Sequence, residues 1–220
     1  MLNDNGNRYR YDGAVTNSVE AAAHLVSADG TGWPELVSYA DLKNLGVSRY
    51  ALEQAVQTRS YERVSPGVFR RTGAADDTTA AWTAVAAKRP QATLCLLTAA
   101  SLHDLTDEIP RRSHIAIPRG THPITVKLAP IRWHSFGVAT FDIGRQDHDL
   151  PGGGRIGLYS PERTVIDFFR MRHDWGTDMA TGVLKRWLAV RGHTPSTLLA
   201  MAKSFPDAYP PLRSTLEVLL

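Results

Sequence analysis

The sequence predicts an α+β protein, in which helices and strands occupy separate runs instead of alternating regularly. Three observations predict this class. Residues 37–71 pass from helical to hairpin spacing, residues 113–159 hold β-prone runs between turn residues, and helical spacing returns from residue 160 onward. With 220 residues, 43% hydrophobic and 21% charged, the chain is typical of one or two globular domains and not of a disordered protein.

The segment Val37–Arg71 is predicted to begin with a helix. Ser38 is its expected N-cap, and Asp41 lies in the first turn, where a carboxylate suits the helix dipole. Gly46 ends the helix because glycine adopts positive φ at little cost, and Val47 is the apolar turn residue. One apolar face is formed by Tyr39, Leu42 and Leu45.

A second helix is predicted directly after this turn. Ser48 is its expected N-cap, and its inward face is formed by Leu52, Ala55 and Val56. Long polar side chains that can reach base edges or phosphates lie on the other face: Arg49, Tyr50, Glu53, Gln54 and Gln57. The candidate DNA contacts of the two helices are Lys43, Ser48, Arg49, Tyr50 and Gln54.

A short hairpin is predicted to complete the segment. Residues 61–64 and 68–71 are β-prone, and Ser65-Pro66-Gly67 between them has the chemistry of a type II turn. Helix, turn, helix and hairpin in this order are typical of a winged helix-turn-helix, whose second helix lies in the major groove of DNA. The candidate phosphate contacts of the wing are Arg63, Arg70 and Arg71.

Charge favours DNA over the alternative for this pattern, a winged helix that contacts only other proteins. Between Lys43 and Arg71 six basic residues stand against two acidic ones, a net of +4. Residues 16–42 hold four acidic residues and no Lys or Arg, and the whole chain has a formal charge of +3. Phosphate binding requires such a concentration of positive charge on the elements that face DNA.

We divide the chain into a flexible tail at residues 1–15, a winged domain at residues 16–73 that opens with a helix at 17–28, and a second domain at residues 74–220. A single cysteine, Cys95, excludes a disulfide framework and fits a reducing compartment. The polar start lacks a signal-peptide core, and no apolar stretch is long enough for a bilayer. These features predict a cytoplasmic protein without a membrane partner.

The second domain is predicted to combine helices, a group of strands and a helical tail. It opens with two helices, at residues 77–88 and 92–105. The predicted strands are residues 113–117, 124–128, 131–136 and 155–159. Ser160 followed by Pro161 marks the start of the next helix. The predicted helices of the tail are residues 177–191, 196–204 and 212–220.

The sequence offers no catalytic cluster. Its eight histidines lack metal-ligand spacing. Arg163 and Asp167, at i and i+4, are expected to form a helix-surface ion pair worth roughly a few tenths of a kcal/mol. We therefore expect a protein that is not an enzyme and needs no metal or cofactor. A metal-dependent nuclease, the alternative enzyme class, would require four carboxylates to cluster: Asp142, Asp147, Asp149 and Asp167.

Two segments resemble the AbiEi antitoxins of bacterial type IV toxin–antitoxin systems. The first is the winged-helix segment Val37–Arg71. The second is YSPERTVIDFFR, residues 159–170, which is similar to the family's Ser-Pro-x-Arg-Thr-x-x-Asp segment. The matching residues of the second segment are Ser160, Pro161, Arg163, Thr164 and Asp167. The resemblance covers the chain from residue 17 to residue 220.

This resemblance implies a protein with two roles. The winged domain would bind inverted repeats of double-stranded operator DNA and repress its own operon, an arrangement that also allows a homodimer on DNA. The second domain would oppose a nucleotidyltransferase-like toxin encoded alongside. The alternative is a stand-alone transcriptional regulator whose second domain senses a ligand or dimerises, and a neighbouring toxin gene is expected for the antitoxin only.

Overall fold

The protein is described by a computed structural model over residues 32–74, 76–151 and 154–220. The predicted tail at residues 1–15 and the predicted helix at residues 17–28 lie outside these described residues. The fold is mixed α+β, as the sequence predicts. Among the described residues, no helix combines the length and apolar character needed to cross a lipid bilayer.

The N-terminal part is a three-stranded antiparallel sheet with two short helices on one face. Its strands are β1 (Leu36–Ser38), β2 (Tyr61–Ser65) and β3 (Val68–Arg71), in the order β1-β3-β2. Helices α1 (Asp41–Asn44) and α2 (Arg49–Gln57) connect β1 to β2. The core between sheet and helices is made of Trp33, Val37, Leu42, Leu52, Ala55, Tyr61 and Phe69.

The first helix differs from its prediction, and Ser38 is not its N-cap. Ser38 ends strand β1, which pairs with β3 and buries Leu36 and Val37, so α1 begins only at Asp41. The backbone N–H and hydroxyl of Ser38 instead donate to Oδ2 of Asp41, at 2.7 and 2.6 Å. A three-residue strand is too short to show a period in the sequence.

The turn residues and the second cap agree with their predictions. Gly46 and Gly67 have φ of +63° and +79°, and Ser48 caps α2 by accepting from the Ala51 N–H at 3.1 Å. The two glycines therefore close the α1–α2 turn and the hairpin tip, where a side chain would be strained.

The second part is built on a five-stranded mixed sheet in the order β6-β5-β4-β8-β7. Its strands are β4 (Thr93–Leu94), β5 (Ser113–Pro118), β6 (Ile131–Phe136), β7 (Arg145–Asp149) and β8 (Arg155–Tyr159). The β5–β6 and β4–β8 pairs are parallel, whereas β4–β5 and β7–β8 are antiparallel. The helices are α3 (Asp77–Lys88), α4 (Leu96–Leu102), α5 (Val138–Phe141), α6 (Pro161–Arg170), α7 (Arg172–Trp175), α8 (Thr177–Ala189), α9 (Pro195–Ala202) and α10 (Tyr209–Leu219).

Two predictions for this part are wrong. Residues 124–128 form no strand, because Ile124, Val126 and Leu128 pack against the buried clusters around α3 without joining the sheet. The predicted helix at residues 92–105 begins as strand β4 and becomes helical only at Leu96. Strand β7, which the sequence reasoning missed, pairs with β8 and makes the turn between them a hairpin.

Helix α3 is shared between the two sheets. On one side, Val85 belongs to the cluster that covers the five-stranded sheet with Leu94, Ile115 and Ile156. On the other side, Ala80 and Ala84 pack with residues of β1 and β3, Leu36 and Val68. The opposite face of the five-stranded sheet is covered by α6, α8, α9 and α10. Helix α3, with Val126 and Leu128, therefore packs the three-stranded sheet against the second part.

Candidate nucleic-acid interface

The start of α2 presents polar side chains to solvent. The Ser48 cap fixes where the helix begins, so that Arg49 and Tyr50 are its first two residues, and Tyr50 is 70% exposed. Lys43 is exposed near the end of α1, and Gln54 is half-buried one turn further along α2. The predicted candidates on the two helices therefore lie at one exposed corner of the N-terminal part.

An aromatic contact joins this corner to the hairpin. The guanidinium carbon of Arg49 lies 4.8 Å from the ring centroid of Tyr39. The Tyr39 ring in turn lies 5.3 Å from that of Phe69 in β3, and the Tyr39 N–H donates to the Gly67 carbonyl at 3.0 Å. Sequence reasoning placed Tyr39 on a buried face, but Tyr39 is 38% exposed and belongs to the surface.

The three wing arginines occupy different surroundings. Arg63 is exposed, and it pairs across the hairpin with Phe69, so both side chains lie on the sheet face that carries α1 and α2. Arg70 is one residue further along β3, on the opposite face. There it forms ion pairs with Glu62 at 2.7 Å and Asp77 at 2.8 Å, and the hydrogen bond to Glu62 raises the pKa of Arg70.

Arg71 is also used inside the protein. Its Nη2 donates to the Trp33 carbonyl, and its guanidinium carbon lies 6.0 Å from the Tyr61 ring centroid. Arg70 and Arg71, predicted as phosphate contacts, are therefore each engaged by groups of the protein itself. Strand register decides this, and a shift at Arg63–Ser65 makes that register hard to derive from sequence.

The N-terminal part keeps exposed cations apart from these two arginines. They are Lys43, Arg49, Arg59 and Arg63. Sequence reasoning counted Arg59 as charge without naming it as a contact, and it lies just past the end of α2 with φ of +59°. The carboxylate of Glu62 is neutralised by Arg70, which leaves Glu53 as the acidic side chain on the exposed face of α2.

The residues of the YSPERTVIDFFR segment lie inside the protein. Ser160 caps α6 by accepting from the Arg163 N–H at 3.3 Å, and Thr164 is completely buried. Arg163 and Asp167 are each 0% exposed, so the expectation of a helix-surface pair is wrong. The Arg163 Nε donates to Asp167 Oδ1 at 3.0 Å, and its Nη1 donates to the carbonyls of Thr140 and Ile143 at 2.7 and 2.6 Å.

Aromatic rings and a second arginine surround this buried pair. The guanidinium carbon of Arg163 lies 4.2 Å from the Tyr159 ring centroid and 4.4 Å from that of Phe205. Arg170 reaches the same carboxylate of Asp167 at 3.0 Å. Burial raises the pKa of Asp167, and the two guanidinium groups oppose that effect. These contacts tie α6 to the α5 region and to the residues that follow α9.

The carboxylates considered for a nuclease do not gather at one point. Asp147 and Asp149 are exposed and pair with arginines of β7 and β8, whereas Asp167 is buried in α6. Over the part of the chain that the structure describes, no group of three or more His, Cys, Asp or Glu side chains could hold a metal ion.

Two histidines form a buried stack beside the Arg163 cluster. His114 of β5 and His134 of β6 lie with ring centroids 5.2 Å apart, and a ring nitrogen of each is within 3.0 Å of the other. Burial lowers the pKa of each to about 4, with the charge of His134 contributing at His114 and that of Arg132 at His134. Both rings are therefore neutral near pH 7.

The solved structures that are similar to this chain include one from Mycobacterium tuberculosis. The crystal structure of the RV2827C protein from Mycobacterium tuberculosis is 13% identical, and the match covers 88% of this chain and 80% of that chain with a TM-score of 0.47. No family model matches the chain, and no curated protein matches it. At this TM-score the similarity gives no information about function.

Proposed function

We propose that the N-terminal part is a winged helix-turn-helix that binds double-stranded DNA through α2 and its hairpin. Strand, two helices and a hairpin follow one another as in that module. The observation that carries the proposal is the exposed start of α2. There Arg49 and Tyr50 are exposed, and Lys43 and Arg63 are exposed cations of the same N-terminal part.

Fluorescence anisotropy with duplex DNA tests this proposal. Wild-type protein is expected to bind a fragment of its own promoter more tightly than a scrambled duplex, with an affinity that falls steeply as salt rises. Replacing Arg49 by Ala should cost about 1–3 kcal/mol of binding if it contacts a base. Lys185→Ala, an exposed cation on α8, is the matched control and should leave binding unchanged. Equal losses in both variants would remove α2 from the proposal.

We propose further that DNA binding represses the protein's own operon and that the second part opposes a nucleotidyltransferase-like toxin. The resemblance of residues 159–170 to AbiEi antitoxins supports this role. Co-expression of the full chain with the neighbouring gene product tests it. Arg49→Ala should abolish repression of a promoter reporter. The variant should still rescue growth, because Arg49 lies in the N-terminal part and not in the part proposed to oppose the toxin. Absence of rescue by wild-type protein would refute the antitoxin role.

A cavity favours the second candidate, a regulator that senses a small ligand. It has a volume of about 370 Å³, and it lies between the start of α3, the end of α4 and the start of β5. Trp82, Leu102 and Arg112 are among its lining residues. Helix α3 also supports the three-stranded sheet. A ligand bound in the cavity would therefore act through α3 on the elements proposed to bind DNA. The substitution Leu102→Trp narrows the cavity. If a cell extract releases DNA from the wild-type protein but not from this variant, the result would favour the second candidate.

A further inference from the structure

We propose that Tyr39 positions Arg49 for contact with a guanine, and that the hairpin tip supports Tyr39 instead of contacting phosphate. This inference rests on the proposed binding of DNA and names the part of the operator that the corner recognises. Its residues are Tyr39, between β1 and α1, Arg49 of α2, Gly67 of the hairpin turn and Phe69 of β3.

The Tyr39 ring is held by the hairpin. Phe69 of β3 contacts it at a centroid distance of 5.3 Å, with the rings tilted by 60°. Gly67 approaches it so closely that a Cβ at that position would lie 3.2 Å from Cδ2 of Tyr39. The backbone of Tyr39 is bound to the same turn through its N–H and the Gly67 carbonyl. The hairpin tip therefore packs back onto the protein and fixes this ring.

The guanidinium group of Arg49 lies over the exposed side of the Tyr39 ring. The 4.8 Å distance is that of a cation–π contact, which restrains a side chain that would otherwise sample many rotamers in solvent. Stacking occupies a face of the planar guanidinium, whereas its N–H donors point outward in the plane. A restrained arginine loses less conformational entropy when it binds than a mobile one.

Guanine is the base that this geometry fits. Arginine donates two parallel hydrogen bonds to O6 and N7 of guanine in the major groove, and this pairing is the commonest base-specific contact. The in-plane donors of a stacked guanidinium suit that bidentate geometry. Arg49 is also the first residue of α2, and the first residues of a recognition helix are those that contact base edges.

The support role of the hairpin follows from the same contacts. Gly67 at its tip contacts Tyr39, and Arg70 and Arg71 are engaged with Glu62, Asp77 and the Trp33 carbonyl. Arg63 is the hairpin arginine that remains exposed on the α2 side. Loss of the Tyr39 ring should therefore act through Arg49 and change base preference, whereas loss of a phosphate contact would weaken binding to all sequences equally.

The first measurement does not require DNA. ¹⁵N relaxation of the Arg49 Nε–H group in the full chain is expected to show an ordered side chain in wild type and in Tyr39→Phe, which keeps the ring. In Tyr39→Leu the group should become mobile, while thermal unfolding confirms that the variant is folded. Equal order of Arg49 in wild type and a folded Tyr39→Leu would overturn the positioning role, whatever the protein binds.

The second measurement selects binding sites from random duplexes. Wild type and Tyr39→Phe are expected to enrich sites with a fixed guanine, and Tyr39→Leu should bind those sites about 2- to 5-fold more weakly with reduced guanine preference. In an Arg49→Ala background, Tyr39→Leu should have no further effect. Unchanged guanine preference in Tyr39→Leu would overturn the inference. If wild type selects no sequence although Tyr39 orders Arg49, the proposed DNA binding is what fails, and the guanine assignment fails with it.

Discussion

Arg49 and Arg163 each lie over a tyrosine ring, and their surroundings give them opposite roles. Arg49 lies 4.8 Å from the Tyr39 ring at an exposed corner, and Arg163 lies 4.2 Å from the Tyr159 ring in the interior. The buried arginine has Asp167 and two backbone carbonyls as hydrogen-bond acceptors. The exposed one keeps its donors toward solvent, where a ligand can accept them. The same pair of residue types thus serves either the fold or recognition, and burial decides which.

Removal of the buried arginine should have the largest effect. Arg163→Ala leaves the Asp167 carboxylate, in a site that is 0% exposed, with Arg170 as its remaining ion-pair partner, and it removes the donor to two backbone carbonyls, which should cost about 3–5 kcal/mol of unfolding free energy. Urea denaturation of the full chain measures it. The double variant Arg163→Met/Asp167→Leu removes both charges and should lose less. If the double variant is as unstable as the single one, packing and not the uncompensated charge dominates.

Acid should have the next largest effect, because it should destabilise the protein through the two buried histidines. The pKa of His114 and of His134 is lowered from 6.5 to about 4 by burial, so the unfolded chain binds more protons between those values. Stability is therefore fully present above pH 6.5 and is lost as pH falls toward 4, by up to about 3 kcal/mol for each histidine. Urea denaturation at pH 7, 5.5 and 4.5 measures it. A His114→Gln/His134→Gln variant should show a flatter profile, and an equally steep one would assign the loss to other groups.

A glycine that touches the buried arginine should have a smaller effect. Gly144 has φ of +72°, and a Cβ there would lie 2.7 Å from the Arg163 Cβ, so Gly144→Ala adds a clash to backbone strain. We expect a loss of about 2 kcal/mol in urea denaturation. Gly120 is the matched control, since its φ is +92° but no atom lies within 4 Å of the added Cβ. Gly120→Ala should cost about 1 kcal/mol, from strain alone. Equal losses would mean that Gly144 is needed only for its backbone conformation.

The smallest expected effect is on the salt dependence of DNA binding. It should distinguish Arg63, which is exposed, from Arg70 and Arg71, which bind groups of the protein. Arg63→Ala should lower the salt dependence of DNA affinity by about one unit of slope, because one phosphate contact is lost. The double variant Arg70→Ala/Arg71→Ala should leave that slope unchanged, provided that its folding is confirmed by thermal unfolding. Anisotropy titrations at four salt concentrations compare them. A reduced slope in the folded double variant would mean that Arg70 or Arg71 contacts DNA phosphate.

Local chemistry made part of this architecture predictable from sequence. Ser48 and Ser160 are caps, Gly46 and Gly67 have positive φ, and β6 and β8 have their predicted bounds. These features depend on residues adjacent in the chain. The alternating apolar run at residues 124–128 also fits a strand, but tertiary packing uses it to cover α3.

The site depended more on features that sequence spacing does not encode. Arg163 and Asp167 have the same i, i+4 spacing whether their helix is exposed or buried, so their spacing could not reveal a buried pair. The face on which Arg70 lies depends on strand register, which a shift in β2 alters. Tyr39 fits an apolar helix face equally well, and only the fold of the hairpin shows that its ring lies under Arg49.

Helix α3 limits how this protein can be divided. Its two sides pack against different sheets, through Ala80 and Ala84 toward the hairpin and through Val85 toward the larger sheet. A cut at the junction near residue 73 would leave each fragment with an apolar face that the other normally covers. Expression of either fragment alone is thus expected to give aggregation-prone protein, and a protease should find the intact junction a poor substrate. We therefore expect the two parts to unfold in a single cooperative transition.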